Sequence, residues 1–163
     1  MKRIFVILLA AAMLLSIAGC TGQNREDGQV VFYYKRAQFS YGEQNGVIAP
    51  EYRSLDTKDM PVLTLLNLYV DGPGMAELVN VFPENCEVLA FSREGDVAAV
   101  EFNKIFGQLQ SVSQTVACVC MSRTVMELTG VKYVRISARD VKLGNEDYLE
   151  FDQNSVFYFD DSN

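Results

Sequence analysis

The order of the helical and extended segments in this sequence predicts an α+β fold of two layers. One layer is a small mixed sheet, and two helices lie on one of its faces. Apolar residues alternate in several short segments, which is typical of half-buried strands, and recur at helical spacing in two longer ones. These segments follow one another as strand, helix, strand, strand, helix, strand. Helices that recur on one side of a sheet give a two-layer domain.

The first predicted strand covers residues 29–37, with the sequence QVVFYYKRA. Its β-branched and aromatic residues favour a strand, in which Val30, Phe32 and Tyr34 share one face. Residues 47–55 predict a second short extended segment. Pro50 places that segment at an edge or in an irregular position, because proline cannot donate to a sheet ladder.

The first helix is predicted to begin near Asp59, which can cap it, with Pro61 in the first turn. The glycine–proline–glycine segment 72–74 ends this helix. Residues 75–79 are expected to form a helical turn or a loop.

Residues 86–92 and 96–102 predict a hairpin around Arg93-Glu94-Gly95, with Gly95 placed for a positive φ. The last strand of the predicted sheet is 131–137, where residues alternate cleanly. Residues 140–147 are expected to be a loop, and the aromatic segment 148–159 predicts one more strand or hairpin.

The long helix is predicted over residues 110–129, with Gly130 as its C-terminal stop. It carries two apolar faces, although a surface helix of a two-layer domain should be polar on one side. One face holds Cys118, Met121, Val125 and Leu128, and the other holds Val112, Val116, Val119 and Met126. Either a loop or the C-terminal extension covers the second face, or the face meets a partner. Val112, Val116 and Val119 are therefore candidate interaction residues.

The first 20 residues predict a lipoprotein signal. Lys2 and Arg3 precede an apolar run, which ends in Ile-Ala-Gly followed by Cys20. The run is shorter than the about 20 residues of a membrane span, and polar sequence follows at once. A plain signal peptide is the other alternative. In the lipoprotein interpretation, cleavage after Gly19 leaves Cys20 as the lipid-bearing first residue, and residues 20–28 form a tether.

The charge and residue composition of the chain exclude several classes of function. Removing Lys2 and Arg3 from the 14 basic residues leaves 12 against 21 acidic ones, a net charge of −9 for the mature chain. An acidic chain with no basic run argues against nucleic-acid binding. The absence of histidine excludes histidine bases, His-based triads and most zinc sites.

The remaining cysteines, Cys86, Cys118 and Cys120, allow at most one disulfide, or are small buried apolar residues. Cys118 and Cys120 would point about 200° apart on a helix, which argues against a redox pair. No catalytic residue, cofactor or metal site is expected.

A series of short motifs resembles the GerMN module of spore-germination and sporulation lipoproteins. In chain order the motifs are residues 30–34, 48–53 (IAPEYR), 71–73, 82–86, 95–103, and 124–125 with 130–134. The match assigns residues 29–140 to one GerMN-like domain and 141–163 to a C-terminal extension. Family members often carry two tandem modules, whereas this chain has one.

The resemblance implies the order β-α-β-β-α-β of ring-building motifs and a scaffold or interaction module rather than an enzyme. We therefore expect a lipid-anchored protein on the outer face of the cell membrane, acting with envelope or sporulation proteins or with copies of itself. The alternative is a ligand-binding lipoprotein with a pocket for a small molecule or cell-wall fragment. An enzyme would need Cys118 and glutamate side chains to meet in a cleft.

Overall fold

The strands of the protein form two sheets. The computed structural model describes residues 28–38, 46–57 and 59–157. The first sheet has the order β2-β1-β3, all antiparallel, and contains β1 (Gln29–Arg36), β2 (Ile48–Ser54) and β3 (Leu78–Val79). The second has the order β4-β5-β6-β7, and contains β4 (Val88–Glu94), β5 (Val97–Phe102), β6 (Tyr133–Ala138) and β7 (Leu149–Asp152).

Three α-helices and one 3₁₀ segment complete the described fold. They are α1 (Val62–Val70), the 3₁₀ segment Lys104–Gln108, α2 (Ser111–Thr129) and α3 (Gln153–Phe157). In the second sheet β5 and β6 run parallel, joined through α2, while the other neighbours are antiparallel. The predicted α+β class is confirmed.

The division into two sheets follows from the position of α2 along the free edge of β1. The backbone N–H of Tyr33 donates to Thr124 Oγ1 of α2 at 2.9 Å, and the Tyr69 hydroxyl donates to the Tyr33 carbonyl at 2.6 Å. Two side chains thus satisfy the backbone groups that a neighbouring strand would otherwise pair. Because α2 contacts this edge, β1 does not continue into the second sheet.

The edge strand β4 is covered at its start in a similar way. The side-chain amide of Asn67, on α1, donates to the Val88 carbonyl at 3.0 Å and accepts from the Val88 N–H at 2.9 Å. A single asparagine therefore replaces one residue of a missing strand and joins α1 to the second sheet.

Helix α2 is buried on both of its apolar faces. Cys118, Met121 and Val125 belong to the main core, while Val116 and Val119 pack with Ile48. Tyr33 and Phe151 are among the half-buried residues around this second cluster. A helix that is apolar all round is expected to be buried in this manner.

For two of the three candidate interaction residues, Val116 and Val119, the chain itself covers the side chain, which is the first of the two alternatives. Val116 is 7% exposed and Val119 is 1% exposed, whereas Val112 is 73% exposed. The chain itself covers the second apolar face, through the first sheet and the residues of β7.

The helix boundaries agree with prediction at the C-terminal ends and differ at one start. Gly130 ends α2 with φ 70°, and its N–H donates to the Met126 carbonyl at 2.8 Å. Pro61 occupies the N-cap position of α1, so the prediction that Asp59 caps this helix is wrong. The extended conformation of Pro61, with ψ 144°, lets the helix begin only at Val62.

One turn and one strand refine the predicted hairpin and loop. The hairpin turn is Gly95-Asp96, with φ 58° at Gly95, because β4 extends to Glu94. Residues 75–79 were expected as a helical turn or loop. They contain β3, which pairs with the end of β1.

The segment after residue 140 is part of the folded structure up to the last described residue. Leu143 is 1% exposed, and β7 adds a fourth strand to the second sheet beside β6. Val141 contacts Gly107 so closely that a Cβ at Gly107 would lie 2.5 Å from Val141 Cγ1. The extra strand expected within 148–159 is confirmed only over Leu149–Asp152, because Gln153–Phe157 of the same segment is helical.

Candidate interaction surface

A buried ion pair joins the first sheet to the loop after α1. Glu51 is 3% exposed, and its Oε2 lies 2.8 Å from Nε and 2.5 Å from Nη2 of Arg53. Its Oε1 accepts from the backbone N–H groups of Gly74 at 2.7 Å and Met75 at 3.0 Å. Both carboxylate oxygens are therefore used in holding the loop.

The Arg53 guanidinium completes this network. Its Nη2 donates to the Gly72 carbonyl at 2.6 Å and to the Tyr34 hydroxyl at 3.1 Å, and the group lies 5.0 Å from the centre of the Phe32 ring. Burial raises the pKa of Tyr34, whose hydroxyl donates to the Tyr69 carbonyl at 2.6 Å. Two of the motifs, residues 48–53 and 71–73, are thus in contact. We call the hydrogen bonds of Glu51 and Arg53 to the loop after α1 the clamp.

The three described cysteines are free, buried thiols. Burial raises the pKa of Cys86 to about 12 and that of Cys118 to about 12, and it also raises the pKa of Cys120. Because the thiolate is the reactive form, these side chains act as small apolar groups. The predicted packing role is confirmed, and no disulfide joins them.

The space between α2 and the second sheet is filled by side chains. Met121, Val125 and Ile136 are each fully buried there. A shallow, open depression lies at the start of α1, lined by Asp56, Asp59, Met60 and Pro61. Within residues 28–38, 46–57 and 59–157, no group of three or more metal-binding side chains occurs. In the same part of the chain, no helix combines the length and apolar character needed to cross a membrane.

The outer face of the second sheet, opposite α2, is open to solvent. We call it the outer face; its described residues are all half-buried or exposed, and they are Ala90, Ser92, Glu94, Val97, Ala99, Glu101, Tyr133, Arg135, Ser137, Glu150 and Asp152. The centre of this face has small side chains, and aromatic and charged ones surround it.

Arg135 of this face and Arg139, which directly follows β6, are already paired. Arg135 Nε donates to Glu150 Oε2 at 2.7 Å, and its guanidinium lies 5.2 Å from the centre of the Tyr148 ring. Arg139 Nη2 donates to Glu101 Oε2 at 2.9 Å. The hydrogen bond with Glu150 raises the pKa of Arg135, while that with Arg139 lowers the pKa of Glu101.

One transverse row of the outer face crosses all four strands. Glu94 pairs with Val97, Val97 with Tyr133, and Tyr133 with Asp152. Asp152 accepts from the Ser155 N–H at 2.7 Å and from its hydroxyl at 2.6 Å, which lowers the Asp152 pKa. We call Glu94, Val97, Tyr133 and Asp152 the transverse row.

Comparison with known proteins identifies the family of this chain. A family model named Germane, for sporulation and spore germination, matches residues 31–143. The chain belongs to the Germane family. The predicted resemblance to the GerMN module is confirmed, and the family is described by sporulation and germination rather than by a reaction.

Solved structures match this chain at low sequence identity. The tandem GerMN domains of the sporulation protein GerM from Bacillus subtilis match with a TM-score of 0.57 and 19% identity, over 79% of this chain and 47% of that chain. The first GerMN domain of the same protein matches with a TM-score of 0.51 and 12% identity, over 70% and 86%. A Clostridium perfringens protein described as a candidate lipoprotein has a TM-score of 0.48 and 16% identity, over 88% and 100%. No curated protein matches the sequence.

The Germane match ends before β7, which lies at residues 149–152. The Glu150 and Asp152 side of the outer face is therefore supplied by residues beyond the matched family region. Alternation in 131–137 indicated that Tyr133 and Arg135 share a face. The aromatic segment 148–159 predicted a strand or hairpin, but nothing in the sequence indicated that it pairs with β6.

The remaining predicted site residues are Gly19, Cys20, Val112, Val116 and Val119. Gly19 and Cys20 are outside the described residues, so cleavage and lipidation stay predictions. Val112 is exposed near the start of α2, and Val116 and Val119 are buried in the chain's own core.

Proposed function

We propose that this Germane-family protein is a lipid-anchored interaction module of the cell envelope, acting in sporulation or spore germination. Cys20 would carry the lipid, residues 20–28 would tether the domain, and the folded part would contact a protein partner. Two acyl chains make such attachment stable, at about 0.8 kcal/mol for each buried CH₂. Confinement near the membrane raises the effective concentration of the domain for a partner that is also there.

The open outer face is the observation that carries the interaction role. The ion pair between Glu51 and Arg53, the most buried of those described, already makes its hydrogen bonds to the loop after α1. The described thiols are buried with raised pKa values. The outer face, in contrast, is a four-stranded surface that no described helix or strand covers. A solvated sheet face of this kind is available for contact with another molecule.

The alternative of a small-molecule pocket between helices and sheet receives less support. Such a pocket would be concave and would bring polar groups together. The space between α2 and the second sheet is filled by fully buried apolar side chains instead, among them Met121 of α2 and Ile136 of β6.

Mass spectrometry of the protein purified from its host membrane tests the anchor. We expect the mature N-terminal peptide to begin at Cys20 and to carry the mass of a diacylglyceryl group. A Cys20→Ser variant should lose that mass and accumulate as uncleaved precursor, while Thr21→Ala, one residue away, should remain lipidated. A mature wild-type chain that begins elsewhere, or that lacks the lipid, would remove the anchor from the proposal.

Photocrosslinking in the native host tests the contact role. A photoreactive amino acid at Ser92 reports on the outer face, and one at Ser113, on the exposed side of α2, is the matched control. We expect a discrete protein adduct from position 92 in sporulating or germinating cultures and none from position 113. Equal labelling from both positions, or none from position 92, would contradict the assignment of the outer face.

A further inference from the structure

The transverse row combines an exposed aromatic ring with a carboxylate that lacks an ion pair. Tyr133 is 41% exposed, and its side chain makes no hydrogen bond and no ring contact within the described residues. Glu94 is exposed, and no cation of the described chain lies within ion-pair distance of its carboxylate, although the charge of Arg135 interacts with it from farther away. These two side chains therefore remain available, although both lie in a sheet whose other charges are largely paired.

The register places the two available groups on either side of a half-buried valine. Neighbouring strands lie about 4.8 Å apart, so the side chains of Glu94 and Tyr133 leave their strands about 10 Å apart, with Val97 between them. A long side chain lying across the row would cover Val97 with its methylene groups, contact the ring of Tyr133 and reach the carboxylate of Glu94. Lysine and arginine have this amphipathic shape.

We propose that the transverse row is a docking site for a lysine or arginine side chain of a basic protein segment. The ring face of tyrosine attracts a cation, and the carboxylate supplies the opposite charge. The chain provides its own precedent one row away, where the Arg135 guanidinium lies over Tyr148 and pairs with Glu150. Arg135 donates its hydrogen bond to Glu150 and interacts with Glu94 only through space, so the Glu94 carboxylate can still form a direct ion pair with a second cation.

Charge favours a basic protein segment over the other candidate occupants. The outer face carries four carboxylates, on Glu94, Glu101, Glu150 and Asp152, against the guanidinium of Arg135 on the face and that of Arg139 directly after β6. Two copies placed face to face would therefore bring like charges together, and anionic lipid or nucleic acid would be repelled. An uncharged glycan could donate hydroxyl hydrogen bonds to Glu94, but it would supply no charge opposite to that of the carboxylate.

This inference rests on the proposed function, because it names the chemistry of the partner that the outer face would contact. The two can fail separately. Crosslinking at Ser92 in cells reports whether the outer face meets a protein at all, and binding of a defined peptide to purified protein reports which side chain the row prefers. Crosslinks without peptide binding would overturn the present proposal and leave the contact role standing.

Fluorescence anisotropy with labelled octalysine and octaglutamate tests the preference, using the full lipidated chain purified in a non-ionic detergent. We expect octalysine to bind weakly and octaglutamate not to bind. Both Glu94→Gln and Tyr133→Ala should weaken octalysine binding about two- to fivefold, the range for one exposed ion pair or one exposed cation–π contact. Tyr133→Phe should bind like the wild type, because the ring and not the hydroxyl carries the contact.

Two control variants separate the row from the general negative charge of the protein. Glu84→Gln removes the same charge from an exposed carboxylate before β4, and Tyr52→Ala removes a tyrosine of similar exposure, 38%, from the first sheet. Both should leave octalysine affinity unchanged. Thermal unfolding of each variant confirms that it is folded, and Tyr133→Phe with Glu94→Gln keeps the test decisive if Tyr133→Ala is destabilised.

Several results would overturn the proposal. One is an equal loss of octalysine affinity in Glu84→Gln and Glu94→Gln, which would indicate attraction by net charge alone. Another is binding of chitotetraose that depends on Tyr133 and not on Glu94, which would identify a glycan surface. A third is self-association of the purified chain that Tyr133→Ala abolishes, which would assign the row to a second copy.

Discussion

The ion pair between Glu51 and Arg53 is the most buried ion pair in the described fold. The Glu51→Gln variant tests how much this pair contributes to the stability of the fold. Glutamine keeps the shape and one carbonyl oxygen for the N–H groups of Gly74 and Met75. It removes the negative charge and turns an amide donor toward the guanidinium of Arg53. We expect a destabilised domain with a loosened loop after α1.

The size of the effect follows from burial. The side chain of Glu51 is 4% exposed and that of Arg53 is 22% exposed. Leaving one partner of a buried pair uncompensated costs about 3–5 kcal/mol. Arg53 retains some solvent, the Gly72 carbonyl and the Phe32 ring, so we expect the lower end of this range, about 3 kcal/mol. For a domain of this size the melting temperature should fall by about 10 °C.

Circular dichroism during heating and urea denaturation measure this loss, and amide hydrogen exchange at Gly74 and Met75 reports on the loop. Glu150→Gln is the matched control, since it breaks the exposed pair with Arg135 at 2.7 Å and should not change the melting temperature measurably. Adding Arg53→Met to Glu51→Gln should recover part of the stability, because no charge is then left buried. Equal melting of Glu51→Gln and wild type, or an equal drop in Glu150→Gln, would refute the argument.

Three further predictions concern groups in the protein interior: a hydrogen bond, a close contact and a thiol. Thr124→Val removes the acceptor of the Tyr33 N–H and should cost about 1–3 kcal/mol in urea denaturation, the penalty of an unsatisfied buried donor. Gly107→Ala puts a Cβ 2.5 Å from Val141 Cγ1 and should cost about 1–3 kcal/mol by overpacking, with Val141→Ala restoring most of it. Burial, which raises the pKa of Cys118 to about 12, should prevent reaction with a thiol reagent at pH 8 until the protein is unfolded.

Each of these has an outcome that contradicts it. Thr124→Ser keeps a hydroxyl and should retain more stability than Thr124→Val, so the reverse order would show that the hydrogen bond is unimportant. If Val141→Ala does not rescue Gly107→Ala, the close contact is not the cause of the loss. Reaction of a folded thiol with the reagent at the rate of the unfolded chain would contradict burial of Cys118.

Local structure was largely predictable because it depends on neighbouring residues. The alternation around Val134 and Ile136 indicated a strand with one buried face, and both residues are fully buried. Gly95 and Gly130 were predicted at a turn and a helix end, and both have positive φ. The start of α1 was missed by a few residues, since Asp59 and Pro61 both carry start signals and only the folded backbone decides between them.

The candidate site was less predictable because it depends on strand register. Tyr133 and Glu94 are 39 positions apart, and they share a row only because β5 lies between their strands with a particular pairing. A slip of one residue in either pairing would place one of them on the inner face. The apolar residues of α2 were equally ambiguous, since Val119 could be covered by the chain or by a partner.

The sequence by itself determined the α+β class, the order of the main strands and of the two longer helices, and the resemblance to a sporulation and germination module. The same sequence, lacking histidine, excluded histidine chemistry and predicted the lipid anchor at Cys20. Tertiary structure alone decided that α2 takes the free edge of β1, that Glu51 and Arg53 clamp the loop at Gly72, and that the outer face stays open. These outcomes depend on which distant backbone groups and side chains meet, and periodicity along the chain carries no information about such encounters.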